Sequence, residues 1–154
     1  MTTTPIALTS AEANARAHAE EIAAAFEAYS FCAEEGEGRH LSPEAKACLK
    51  FHEYDGTNHN QVADAIEESC QESALSVEVR SAWGTPSETM GPDEFQILLS
   101  TGGPALRIIG DLADFQPDRP RIEHQDWGTP WAEWYRDVDH DAIAWFAGLF
   151  YFGD

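Results

Sequence analysis

The sequence is short of positive charge: 9 lysines and arginines stand against 28 aspartates and glutamates, for a formal net charge of -19 and a pI near 4.4. The basic footprint that phosphate backbones require is missing, which argues against direct DNA or RNA binding and against docking on anionic membranes. Cysteine is scarce and odd in number. Cys32, Cys48 and Cys70 lack C-x-x-C spacing and fall in expected helices, so reduced, partly buried thiols are expected rather than a disulfide framework. Long hydrophobic runs are missing too. The longest, Ala142 to Phe152, is too short for the roughly 20 residues of a spanning helix. The opening MTTTPIALTS has neither a positive n-region nor an apolar h-region, so no secretory signal is read there and a cytoplasmic protein is expected.

Apolar material is present in quantity. With 43% hydrophobic residues, 5 Trp, 8 Phe and 4 Tyr, the 154-residue chain has enough for one real core, so a single domain over 1–154 is expected rather than an acidic disordered tail. Residues 1–74 hold 4 basic and 14 acidic side chains and residues 75–154 hold 5 and 14, so the acidity belongs to the whole domain.

Residues 1–74 read as helical. Thr9 or Ser10 caps a first helix, in which Ala15, Ala19, Ile22, Phe26, Tyr29 and Ala33 form one apolar stripe. Glu34-Glu35-Gly36-Glu37-Gly38 breaks it. Ser42-Pro43-Glu44 starts a short helix to about Tyr54, and Asn58 or Asn60 caps a third. On that third helix Val62, Ile66, Ser69 and Cys70 share one face, and Asp64, Glu67 and Glu68 the other.

From Leu75 the period changes to two. Val77, Val79 and Ser81 alternate with Glu78 and Arg80, the pattern of a half-buried strand. Phe95 to Leu99, Leu106 to Ile109 and Arg121 to Gln125 follow through short loops, with Gly102-Gly103 supplying positive φ for a tight hairpin. Four antiparallel strands in a meander ending near Trp127 are expected, then a final apolar helix from about Asp139 to Phe152 that lies against the sheet or in a homodimer interface. The fold class is α+β.

The tracts Leu75 to Trp83, Glu94 to Gly110 and Gln125-Asp-Trp-Gly-Thr-Pro-Trp131, with the ending Phe150-Tyr-Phe-Gly-Asp154, resemble a family of small acidic proteins of unknown function carried by phages, prophages and plasmids of bacteria. The similarity covers residues 75 to 154. Ala82 stands where the family is expected to have Gly, and the helical part is shorter than in many relatives. The resemblance implies a mobile-element context and carries no established catalytic residues.

Motifs for chemistry are few. Asp137-Val-Asp139-His-Asp141 opens like a calcium loop, but position six is Ala142 and position twelve is Gly148, which leaves a helix N-terminus as the better reading. His40, His52 and His59 have no zinc spacing, and no nucleophile elbow or phosphate loop occurs. No metal or other cofactor is expected. The densest stretch is Asp126, Trp127, Trp131 and Glu133, where aromatics and carboxylates share one stiff loop; the two Trp serve there either as partner anchors or as a lid on the core.

Two functions compete. The leading one is a non-enzymatic acidic interaction protein that mimics a nucleic acid and inhibits a basic, nucleic-acid-binding host protein, an anti-defence role, through Asp126, Trp127, Trp131, Glu133, Glu67 and Glu68. The alternative is a small ligand-binding domain or enzyme with a pocket near Trp83, His124, Asp126 and Trp131.

Overall fold

The computed structural model describes residues 7–34, 40–88 and 90–153. Thr9 and Glu12 form a reciprocal capping box that starts α1 (Ser10–Ala33), and the breaking run Glu35 to Gly38 lies outside the described residues. Ser42 caps α2 (Pro43–Phe51) with Pro43 at its first turn. Asn58 precedes α3 (His59–Glu72) without giving a side-chain cap, because its amide is engaged with Asp55 N–H at 2.9 Å and Glu53 C=O at 3.1 Å.

Five strands follow: β1 (Ser76–Arg80), β2 (Glu94–Ser100), β3 (Ala105–Ala113), β4 (Gln116–Gln125) and β5 (Ala132–Trp134), then α4 (His140–Ala147). They form one antiparallel sheet in the order β1-β2-β3-β4-β5, so the α+β meander is as expected with one strand more. The fifth is the short β5, which pairs with β4 beyond the expected end of the sheet. At the β2–β3 turn only Gly102 has positive φ, at +93°; Gly103 does not share that role.

The sheet has one covered and one open face. Phe95, Ile97 and Leu99 of β2, Leu106, Ile108 and Leu112 of β3, Ile122 of β4 and Trp134 of β5 point inward, where α1 and α4 close over them with Ile22, Ile143 and Phe146. On α1 the stripe holds from Ala15 to Tyr29; its last turn instead buries Cys32 and leaves Ala33 exposed. A second cluster joins α1 to α2 and α3 through Ala28, Cys32, Leu49, Val62 and Ile66. Trp145 links the two, with Phe26 and Tyr29 rings 5.5 and 5.1 Å away.

Two further expectations need correction. The last helix stops at Ala147, short of Phe152: the chain leaves it at Gly148 and runs on so that Phe152 packs 4.8 Å from the Phe95 ring. Of the two placements for this helix, α4 lies on the sheet and α1. β1 is not half-buried: the helix layer stops short of Val77 and Val79, which remain exposed beside the buried Ile97 and Phe95.

Candidate interaction surfaces

The loop from Asp126 to Trp131 is built as a rigid turn. Asp126 N–H donates to the Thr129 hydroxyl at 3.0 Å, Thr129 N–H donates to Asp126 C=O at 3.1 Å, and Gly128 supplies a φ of +80°. The Asp126 carboxylate accepts from the Ala11 N–H at 3.1 Å. It therefore satisfies one of the free donors at the N-terminus of α1 and ties the loop to the helix layer. Trp127 is 86% exposed. Trp131 folds over the open face of the sheet, with the Arg107 guanidinium 4.2 Å from its ring centroid.

Arg107 is the centre of that face. Its guanidinium donates to Glu123 at 2.9 and 2.6 Å and to the Gln96 amide oxygen at 2.7 Å, under the Trp131 ring. Glu123, whose side chain is only 14% exposed, also takes Arg121 at 3.3 Å. Arg80 pairs with Glu94 and Arg119 with Asp111. Each of these four sheet arginines thus holds a carboxylate. Glu133 stands on β5 opposite Glu123 and near Arg121.

Trp131→Ala removes the lid of this network and hydrates the Arg107–Glu123 pair, whereas Trp127→Ala removes an exposed ring. We expect a loss of about 1–2 kcal/mol for Trp131→Ala, from a cation–π contact and part of its buried area, and within about 0.5 kcal/mol for Trp127→Ala. Urea titrations of the two variants check this; equal losses would contradict the placement.

The third helix has the opposite character. α3 contains Asp64, Glu67, Glu68 and Glu72 and no lysine or arginine. Asp64, Glu68 and Glu72 recur every four residues, all exposed and none in an ion pair among the described residues, so they form a ridge along one side of the helix. Glu67 turns away and accepts a hydrogen bond from the Tyr29 hydroxyl, which raises that phenol's pKa. Of the two α3 glutamates singled out in the sequence, Glu68 belongs to the ridge and Glu67 to the contact with α1. The four-residue spacing was there to find; adjacent residues on a helix point some 100° apart, so Glu67 and Glu68 were never one surface.

The alternative pocket is not assembled. Trp83 follows β1 and Trp131 precedes β5, at opposite edges of the sheet, four strand steps or roughly 19 Å apart, and at opposite strand ends. His124 lies on the inner face against Trp134, with ring centroids 6.3 Å apart, and Asp126 is engaged with α1. Perturbed titration, the usual mark of a catalytic site, falls on structural groups. Glu12 is held low by the Thr9 backbone N–H and Asp55 by the Thr57 hydroxyl. Burial pushes the thiols of Cys32, Cys48 and Cys70 up, Cys70 to about 12, which keeps them protonated and poor nucleophiles at neutral pH. Asp139 caps α4 by accepting from Ala142 N–H at 3.1 Å, as the helix-start reading of the calcium-like run requires. Among the described residues no three His, Cys, Asp or Glu side chains are grouped to hold a metal ion, and no helix is long and apolar enough to cross a membrane. Comparison with protein-family models, with curated proteins and with solved structures found no match.

Proposed function

We propose that this protein is a non-enzymatic interaction protein whose helical layer presents an acidic ridge to a basic, nucleic-acid-binding partner. One observation carries the reading: the ridge Asp64, Glu68 and Glu72 is exposed and in no ion pair among the described residues, on a helix with no lysine or arginine, while the four arginines of the sheet are engaged with Glu94, Asp111 and Glu123. The carboxylates of the ridge are therefore not neutralised by ion pairs, and their field is available to steer a positively charged cleft toward the molecule.

The spacing suits that role. Carboxylates every four residues recur about every 6 Å along the helix axis, against about 3.4 Å per charge on one DNA strand, so the ridge has roughly half a strand's charge density before other helix-layer carboxylates are added. The position of the acids also runs against helix stability. Glu68 and Glu72 occupy the C-terminal half of α3, where the dipole favours cations, and no basic residue occupies its last turn. A local rule broken on an exposed face, with no compensating contact, is what a surface kept for binding looks like.

The resemblance to acidic proteins of phages, prophages and plasmids supports a mobile-element setting, in which the partner is a host defence or DNA-processing protein and the effect is inhibition in the cytoplasm. The test is capture from host lysate on immobilised protein at low and high salt, read by mass spectrometry. The expected result is a basic nucleic-acid-binding protein, recovered at low salt, lost at high salt and displaced by duplex DNA. Recovery indifferent to salt and to DNA, or a bound nucleotide or metal in its place, would overturn the proposal.

A further inference from the structure

β1 is an edge strand, paired with β2 on one side alone among the described residues. Such an edge leaves alternate N–H and C=O groups open to another strand. Its inward-facing residues continue the apolar rows of β2, Val77 beside Ile97 and Val79 beside Phe95. The helices do not reach them: Leu75 is 59%, Val77 38% and Val79 46% exposed, and Trp83 beyond the strand is fully exposed.

We propose that this edge pairs with the same edge of a second copy of the chain, antiparallel, about a two-fold axis at Val79, so that two five-stranded sheets become one. The inference is independent of the acidic ridge, which lies on α3 in the helix layer. The sequence of the edge selects the register. A two-fold that relates neighbouring antiparallel strands runs perpendicular to the sheet, so one residue must stand opposite itself, and opposed residues share a face. Centring on Glu78 or on Arg80 sets like charges against each other. Centring on Val77 leaves Glu78 opposite the partner's Ser76 and Arg80 opposite the partner's Ala74. Centring on Val79 sets Glu78 against the partner's Arg80 and Arg80 against the partner's Glu78 on the open face. On the inner side, Val79 meets the partner's Val79, Leu75 meets the partner's Trp83 and Val77 meets the partner's Ser81.

Both complementarities, of charge and of apolar surface, appear in that register together. Arg80 is free to serve it: its Nε goes to Glu94 within the chain, and its terminal nitrogens remain for a second carboxylate. Exposed apolar residues on an unprotected edge are a liability in a monomer, and pairing removes it.

The test is sedimentation equilibrium of the full chain at about 0.15 M salt, where the repulsion between two acidic molecules is screened beyond about 8 Å. The wild type is expected to approach twice 17.0 kDa as concentration rises. E78R and R80E should each weaken the dimer by about tenfold or more, since each turns two attractive pairs per dimer into repulsive ones. An equimolar mixture of E78R and R80E should associate as tightly as the wild type, because both opposite-charge pairs return in the mixed dimer. R80E also releases Glu94, so W83S, which lies outside the strand, is a second variant expected to weaken the dimer several-fold without touching β1–β2 pairing. A wild type that stays monomeric to about 1 mM overturns the proposal. So does a dimer indifferent to E78R and W83S, or a mixture that associates no better than its components.

Discussion

Replacing Gly110 by valine is expected to lower the unfolding free energy by about 3 kcal/mol, the upper part of the range for overpacking a filled core. Gly110 lies on the inward side of β3, opposite Phe95, where the register between β3 and β4 shifts from Ile109 to Asp111. A Cβ there would stand 2.9 Å from the Phe95 ring, 3.0 Å from the Asp118 carbonyl oxygen and 3.1 Å from the Pro120 Cα. Two of those neighbours are backbone, and the third is a ring only 1% exposed and packed on Phe152, so none can move aside cheaply. The close approach lets β4 turn through Asp118, Arg119 and Pro120, with Arg119 at a φ of +50°, and still bring Ile122 under α4. For a domain of this size the loss corresponds to a fall of roughly 6–12 °C in melting temperature. Gly91 is the control. Nothing lies within 4 Å of a Cβ at Gly91 and its φ is not left-handed, so Gly91→Ala should stay within about 0.5 kcal/mol. Thermal and urea melts of the two variants check the contrast, and a Gly110→Val protein as stable as Gly91→Ala would contradict the packing described.

Where the chain spoke for itself, the signal was local. The Thr9–Glu12 box, Ser42-Pro43, the alternation of Phe95, Ile97 and Leu99, and the turn at Gly102 each state a conformation within a few residues, and the structure carries them. β5 escaped because three residues are too few for a period, and because Trp134, its buried residue, reads as one more aromatic in an aromatic loop. The end of α4 escaped for the opposite reason: an unbroken apolar run hides the point at which the chain leaves the helix to bury Phe152 in a different place. Alternation in β1 promises a covered face, but coverage depends on how far α1 and α4 reach, which is a tertiary fact.

The candidate surfaces divide the same way. Asp126 looked free because the N–H that holds it, that of Ala11, is 115 residues away in sequence. Trp131 looked like an anchor or a lid on the core and is instead a lid on Arg107, from the far side of the sheet. The α3 ridge needed no distant information, only the four-residue spacing of Asp64, Glu68 and Glu72. That it makes no ion pair among the described residues did: this depends on where the basic side chains of the rest of the chain come to rest.

Reversing the ridge in the triple variant Asp64→Lys, Glu68→Lys and Glu72→Lys is expected to slow association with the captured partner by roughly 10- to 100-fold at low salt, within the range that electrostatic steering supplies. The variant should fold at least as well as the wild type. All three side chains are exposed, and lysines toward the C-terminus of α3 meet the favourable end of the helix dipole, worth about 0.3–1 kcal/mol each. Loss of binding would then run opposite to any change in stability, which separates a surface effect from an unfolded protein. Screening sets the salt dependence: as ionic strength rises and the Debye length falls from ~30 Å at 0.01 M toward ~3 Å at 1 M, the two association rates should converge. Glu133→Lys, on the opposite side of the sheet, should change association far less. The decisive measurement is therefore the association rate of wild type and triple variant with the captured partner across that salt range. A steep salt dependence is expected for the wild type and a slow, nearly flat one for the variant, with convergence at high salt; equal rates for the two proteins at low salt would rule out the ridge as the steering surface.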